Sequence, residues 1–346
     1  MKRLVICSDG TWNRADQQKE GTLCPTNVVK LAYRVAKRDP DGVSQIVFYD
    51  QGVGTGNILD RFTGGALGGG LSDNIFDAYR FLLANYEPGD EIYLFGFSRG
   101  AYTARSLGGM IRKCGVLDRK HVGLYVDALK LYQDPGSHPD DDEPTRFRAD
   151  YSCCGSESIP IRCIGVWDTV GALGIPLTGL RGLTRRKQDF HDCELSGTVE
   201  YAFHALAIDE RRGPFEPTLW IEKPKPGQLV SQTWFPGVHS DVGGGYVDNG
   251  LSDITLQWMM DNTELAGLYF DPEVVAARPL EGDATAKAHD SRVGWYRLAP
   301  RHERKMDPDR SQTLHPSAIR RWDENPSYRP SNLREYFRAV GDSRGR

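Results

Sequence analysis

The chain lacks most of the features that mark a function at a glance. Its seven cysteines (Cys7, Cys24, Cys114, Cys153, Cys154, Cys163, Cys193) are odd in number, irregular in spacing and never arranged as C-x-x-C. That speaks against a zinc knuckle or a thioredoxin motif and for reduced thiols in a cytosol-like compartment. No apolar run approaches the roughly 20 residues that span a bilayer. No charge dominates: the net charge is −4, so no global field points to nucleic acid as a partner. Met1 to Cys7 is basic and then apolar, but Asp9 arrives too soon for a signal peptide. A cytoplasmic location is the expectation, with export by a route that needs no leader left open. There is no internal repeat. Glycine is abundant, yet neither Gly52 to Gly56 nor Gly64 to Gly70 forms G-x-G-x-x-G directly after a strand and opening a helix. A dinucleotide site is therefore not expected, and those glycines read as loops crossing close to a site. A phosphatase of the haloacid dehalogenase type would need an aspartate two residues before Asp9, where Cys7 stands.

What is present is a soluble-type chain of 346 residues, 39% hydrophobic and 26% charged, long enough for a full core. Gly96-Phe97-Ser98-Arg99-Gly100 follows Glu91-Ile92-Tyr93-Leu94-Phe95, five residues rich in strand formers, and precedes a helical pattern from Ala101. Strand, G-x-S-x-G, helix is the context of a nucleophile elbow, in which a serine on a strained turn points its hydroxyl out of the sheet. Five further apolar segments read as strands: 3–7, 45–49, 161–167, 201–208 and 229–235. Helices are expected over 27–38 with Thr26 as cap, from Ser72 to about Tyr86, and over 100–114, 119–133 and 252–264. Residues 134–158 read as a surface excursion, and 267–346 as a Pro- and Arg-rich segment with helical hints only at 273–277 and 333–339.

Strands separated by helical stretches predict an α/β fold, a mainly parallel sheet with helices on both faces. The expected organisation is one domain over 1–346, with a core of about 1–266 and the 267–346 segment packed on it. In such a sheet ligands gather at the carboxyl ends of the strands. Asp9-Gly10-Thr11, Asp50, Ser98, Asp168, Asp209 and His239 all follow strands directly, so one rim should hold them all.

A serine hydroxyl needs a base, and histidine suits because it titrates near neutrality. Of eight histidines, His239 alone follows the last predicted strand within a glycine-rich loop, while His204 lies inside a strand and reads as a core residue. The acid that orients the imidazole is open among Asp168, Asp209 and Asp241. Chain position slightly favours Asp209, but Glu210-Arg211-Arg212 beside it suggests an ordinary salt bridge. An oxyanion hole needs two backbone N–H groups. Arg99 should supply one, and Thr11 or Trp12, in the turn at Asp9 and Gly10, the other.

At these residues the chain resembles the bacterial and fungal DUF2235 proteins, an α/β-hydrolase family that includes the Tle1-like catalytic domain of type VI secretion phospholipase effectors. The resemblance is carried by Cys7 to Asn13, Gly96 to Ala101, Trp167 to Gly171, His204 to Arg212, Trp234 to Tyr246, His315-Pro316-Ser317 and Tyr328-Arg329-Pro330. It implies the triad Ser98, Asp168 and His239, and with that selects Asp168 as the acid. It also implies lipid-ester chemistry.

The expected function is thus a serine hydrolase cleaving carboxylic esters, of lipids or phospholipids, with no cofactor. Asp9, Gly10, Trp12 and Asp241 should line its site. Two other readings compete. One is a metal-dependent hydrolase using His239, Asp241, Asp9 and Asp50, since carboxylate and imidazole suit several divalent ions. The other is a non-catalytic binding module on a hydrolase fold. Between Asp168 and Glu200, apolar Leu173, Ile175, Pro176, Leu177, Leu180 and Leu183 stand close to Arg181, Arg185, Arg186 and Lys187. The stretch reads first as an insertion packed on its own core. The second reading is a cap that makes peripheral contact with an anionic membrane.

Overall fold

The computed structural model describes residues 1–10, 13–52, 66–171, 195–220, 225–294, 297, 301–308 and 312–346, with the backbone alone over 66–72. Seven strands form one sheet: β1 Arg3–Ser8, β2 Gln45–Asp50, β3 Glu91–Phe97, β4 Ile161–Trp167, β5 Val199–Ala207, β6 Leu229–Phe235 and β7 Gln312–Leu314. Their order is β2-β1-β3-β4-β5-β6-β7, and every neighbouring pair is parallel. The fold is α/β, as expected. The seventh strand was not expected, because three residues in a stretch without periodicity carry no strand signal.

The described helices are α1 Asn27–Arg34, α2 Ala66–Asn85, α3 Arg99–Cys114, α4 Tyr125–Gln133, α5 Asp142–Tyr151, α6 His239–Gly243, α7 Gly250–Leu265, α8 Pro272–Ala277, α9 Pro316–Glu324 and α10 Ser331–Ala339. Side chains alternate along each strand, so the sheet has two apolar faces. Leu4, Ile6, Ile92, Leu94, Ile164 and Val166 pack under α2 to α5. Val5, Cys7, Tyr93, Phe95, Phe203 and Phe235 pack under α1 and α7. A third cluster joins Leu206, Ile208 and Trp234 to Trp322 of α9 and Phe337 of α10.

Several boundaries differ from expectation for identifiable reasons. α1 is capped by Thr26 but stops at Arg34, because Ala36 donates its N–H to Tyr269 O and Val35 bridges to Phe270. α2 begins six residues before Ser72. The 119–133 region is a 3-10 turn, Arg119–Leu124, followed by α4. The expected surface excursion contains α5, whose buried Arg148 donates to Lys113 O near the end of α3 and to Pro139 O. The C-terminal stretch holds α9 as well as the two hinted helices.

The chain passes from β1 to β2 on one side, then crosses to β3 on the other. This is a topological switch, the place in such a sheet where ligands gather, and it lies beyond Ser8 and Phe97, where Ser8 pairs with Gly96. Among the described residues no helix is long and apolar enough to cross a membrane. The six described cysteines are free thiols, and Cys193 lies outside the described residues.

Candidate active site

Ser98 sits between β3 and α3 with φ 58° and ψ −119°, a backbone region that costs a non-glycine residue about 1–3 kcal/mol. The turn is held from the next strand. Ser98 N–H donates to Trp167 O at 3.0 Å, and Val170 N–H donates to Ser98 O at 3.3 Å. The flanking glycines are needed because backbone passes backbone here. A Cβ on Gly96 would lie 2.3 Å from Gly100 O, and one on Gly100 would lie 2.1 Å from Ser8 O. Gly100→Ala should therefore push α3 off β1 at a cost of about 3 kcal/mol, read as a lower urea midpoint. An unchanged midpoint would show that the approach is not as tight as the geometry requires. Among the described residues the Ser98 hydroxyl has no hydrogen-bond partner, and Ser98 is 9% exposed.

Phe97 pairs with Trp167, so the register puts Asp168 beside Ser98. Asp168 is fully buried with φ 43°. Its Oδ2 stands 2.5 Å from His239 Nδ1. Oδ1 accepts Ala207 N–H at 3.0 Å. Arg304, 1% exposed, donates from Nη1 to Oδ1 at 2.6 Å and from Nη2 to Oδ2 at 2.9 Å. Burial raises the Asp168 pKa, but the Arg304 charge and the His239 and Arg304 hydrogen bonds outweigh it and hold the carboxyl well below the usual range.

His239 opens α6, directly after β6 and its Pro236-Gly237-Val238 turn. It is 4% exposed, and its ring lies between Phe97 at 4.6 Å and Phe215 at 4.9 Å, centroid to centroid. Glu210 Oε2 accepts the His239 backbone N–H at 3.3 Å. Gly243 leaves room for Phe97, since a Cβ there would lie 2.0 Å from the ring. Burial lowers the His239 pKa, and Asp168 only partly restores it.

The other aspartates are engaged elsewhere. Asp209 accepts Gly237 N–H at 2.6 Å and the Tyr328 hydroxyl at 3.0 Å, and burial pushes its carboxyl up to about 6. The neighbouring Glu210, not Asp209, pairs with Arg212. Asp241 accepts Val238 N–H and lies 2.6 Å from His289 Nδ1. Asp9 accepts from Gly10 N–H, Asn13, Thr26 and Tyr49. Burial still raises its carboxyl to about 6. Gly10 lies against the elbow, as a Cβ there would be 3.2 Å from Ser98 Cβ. Asp50 stands at the end of β2, where burial pushes its carboxyl up to about 7. The metal-site alternative required Asp241, Asp9, Asp50 and His239 to converge. Among the described residues no three His, Cys, Asp or Glu are placed to hold an ion. His204 is a buried residue within β5 that accepts Thr169 N–H.

Arg99 is the first residue of α3. Thr11, Trp12, the glycines from Gly54 to Gly65 and the apolar and basic stretch from Leu173 to Lys187 lie outside the described residues. Arg304 was not anticipated. It stands in Arg301-His302-Glu303-Arg304-Lys305, a charge run that reads as solvated surface.

Residues 2–262 match the family model described as T6SS, phospholipase effector Tle1-like, catalytic domain. An uncharacterized protein of Saccharomyces cerevisiae, YEL023C, is 30% identical over 254 residues, which cover 67% of this chain and 35% of the yeast protein. The chain thus spans about a third of the length of the curated relative it matches. Two solved structures are similar at a TM-score of 0.46. One is an uncharacterized protein from Pseudomonas aeruginosa, 19% identical, covering 80% of this chain and 48% of that one. The other is the Tle1 effector bound to the VgrG spike of a type 6 secretion system, 17% identical, covering 78% of this chain and 74% of that one. By the family match over residues 2–262, this chain belongs to the Tle1-like family of type VI secretion phospholipase effector catalytic domains.

Proposed function

We propose that this chain is a serine hydrolase of carboxylic esters and that its substrates are the acyl esters of phospholipids. The observation that carries this reading is a strained serine at the end of β3, one strand away from an aspartate hydrogen-bonded to a histidine at 2.5 Å. In this mechanism Ser98 Oγ attacks the ester carbonyl carbon and its proton passes to His239 Nε2. Asp168 keeps Nδ1 protonated, which leaves Nε2 as the acceptor, and it stabilises the imidazolium that forms. The oxyanion is held by Arg99 N–H, at the N-terminus of α3 where the helix dipole favours negative charge. The carbon–oxygen bond then breaks and the alcohol leaves with the proton from His239. Water, activated by the same base, releases the acyl group from Ser98. The family's phospholipase description supports a lipid ester as substrate. Contact with a membrane surface follows from such a substrate.

The test is a serine-reactive phosphonate on the folded protein, with mass spectrometry of the adduct, beside acyl release from phospholipid vesicles. Ser98 should label and fatty acid should appear. No adduct at Ser98 would refute the nucleophile, and an adduct without acyl release from phospholipid would refute the lipid substrate. The labelling rate should also fall on acidification. His239 must be neutral to act, and burial lowers its pKa, so the midpoint of that fall should lie below the usual histidine value of about 6.5. A midpoint above it would contradict a buried base.

A further inference from the structure

Beyond residue 262, where the family match ends, the chain supplies a partner to each of four buried carboxylates around His239. The Ser291 hydroxyl donates to Glu210 at 2.9 Å, and His289 Nδ1 lies 2.6 Å from Asp241. The Tyr328 hydroxyl donates to Asp209 at 3.0 Å, and Arg304 forks onto both oxygens of Asp168. Of these, the Arg304 contact acts directly on the pair that the mechanism uses.

A carboxylate with a single histidine partner can rotate about its Cβ–Cγ bond. Asp168 cannot, because its two oxygens are shared among Ala207 N–H, His239 Nδ1 and the two arms of one planar guanidinium. Arg304 is itself fixed by Ala207 O at 2.8 Å and Phe215 O at 2.6 Å. The second of these is to the backbone of the residue whose ring packs edge-on against His239. We infer that Arg304 is a positioning residue of the hydrolytic site, locking the Asp168 carboxylate so that Oδ2 meets His239 Nδ1. This role rests on the Ser98, His239 and Asp168 reading. It makes the segment after residue 262 part of the site rather than an appendage to it.

Arg304 also offsets the Asp168 charge. The charged groups that act on the imidazole are Asp168 at the end of β4 and Glu210 and Arg212 in the turn after β5, while Asp241, in the same helix as His239, faces the Val238 N–H and His289. Without Arg304, Asp168 acts on His239 with no counter-charge, so the imidazolium is favoured and the acidic limb moves to higher pH.

The experiment is the rate of phosphonate labelling at Ser98 in the full chain, followed across the range in which histidine titrates. Arg304→Met should label about 100-fold more slowly, the scale of loss from a small misplacement of a reacting group, with its acidic limb at higher pH. Arg304→Lys keeps the charge but not the fork, so it should lose rate while its limb stays in place. In an Asp168→Asn background, Arg304→Met should cost less than about threefold more, because the two residues act as a unit. That double variant also removes both buried charges together, so it and Arg304→Lys carry the test if Arg304→Met does not fold. A native rate and limb in Arg304→Met, a shifted limb in Arg304→Lys, or a full 100-fold loss added to Asp168→Asn would each overturn the inference. Absence of labelling in the native chain would instead overturn the hydrolase reading beneath it.

Discussion

Ser98→Ala should lower turnover of acyl esters on the order of 10⁶-fold, the scale seen when the nucleophile of a serine hydrolase is removed, while leaving the protein as stable as before. Both halves follow from the elbow. The hydroxyl has no hydrogen-bond partner among the described residues, so its loss breaks no contact that holds the fold. Alanine keeps the Cβ, so the strain at φ 58° is unchanged, and stability should shift by no more than about 0.5 kcal/mol. Steady-state kinetics and a urea melt on the same preparation check the pair. Turnover within tenfold of native would remove Ser98 from the chemistry. A large fall in urea midpoint would mean the hydroxyl has a structural role.

Asp168→Asn should lower turnover by about 10⁴-fold, because the amide no longer enforces the histidine tautomer whose Nε2 can accept a proton. It should also destabilise the fold by about 3 kcal/mol, since the buried Arg304 keeps its charge and loses its counter-charge. The dependence on pH has a definite sign. The folded Asp168 carboxyl sits well below its ordinary value. Its contribution to stability is therefore present above about pH 4 and is lost as pH falls toward the folded value. Acid unfolding of the native chain should show that loss, and Asp168→Asn should not. Asp209→Asn is the informative comparison. Its carboxyl holds Gly237 and Tyr328, so that variant should keep most of its turnover. A 10⁴-fold loss at Asp209 with a small one at Asp168 would exchange their roles.

The readings that came from the chain itself concern neighbours in sequence. Strand followed by G-x-S-x-G followed by helix is a local pattern, and the glycines at 96 and 100 are demanded by contacts within a few residues of the turn and by β1 alongside it. Six strands announced themselves by apolar runs, because a parallel sheet covered on both faces leaves no polar side. The three-residue β7 and the helices α5 and α9 did not, since acidic, proline-rich or very short segments carry little periodicity. α1 ended early because Ala36 found a partner at Tyr269, far along the chain.

By itself the sequence determined the fold class, the serine on its elbow and a histidine at the last long strand's end. It left three aspartates in contest, which only the likeness to a family separated. The tertiary structure placed Asp168 against His239 and gave Asp209 and Asp241 to other partners. It also brought in Arg304 from 136 residues away. The reason lies in how a parallel sheet is built. Every strand delivers its following residue to the same rim, so order along the chain cannot rank the acids there. Which buried charge meets which is settled by strand register and by the return of the C-terminal segment. An arginine in a charged run carries no local sign that it will be the one buried.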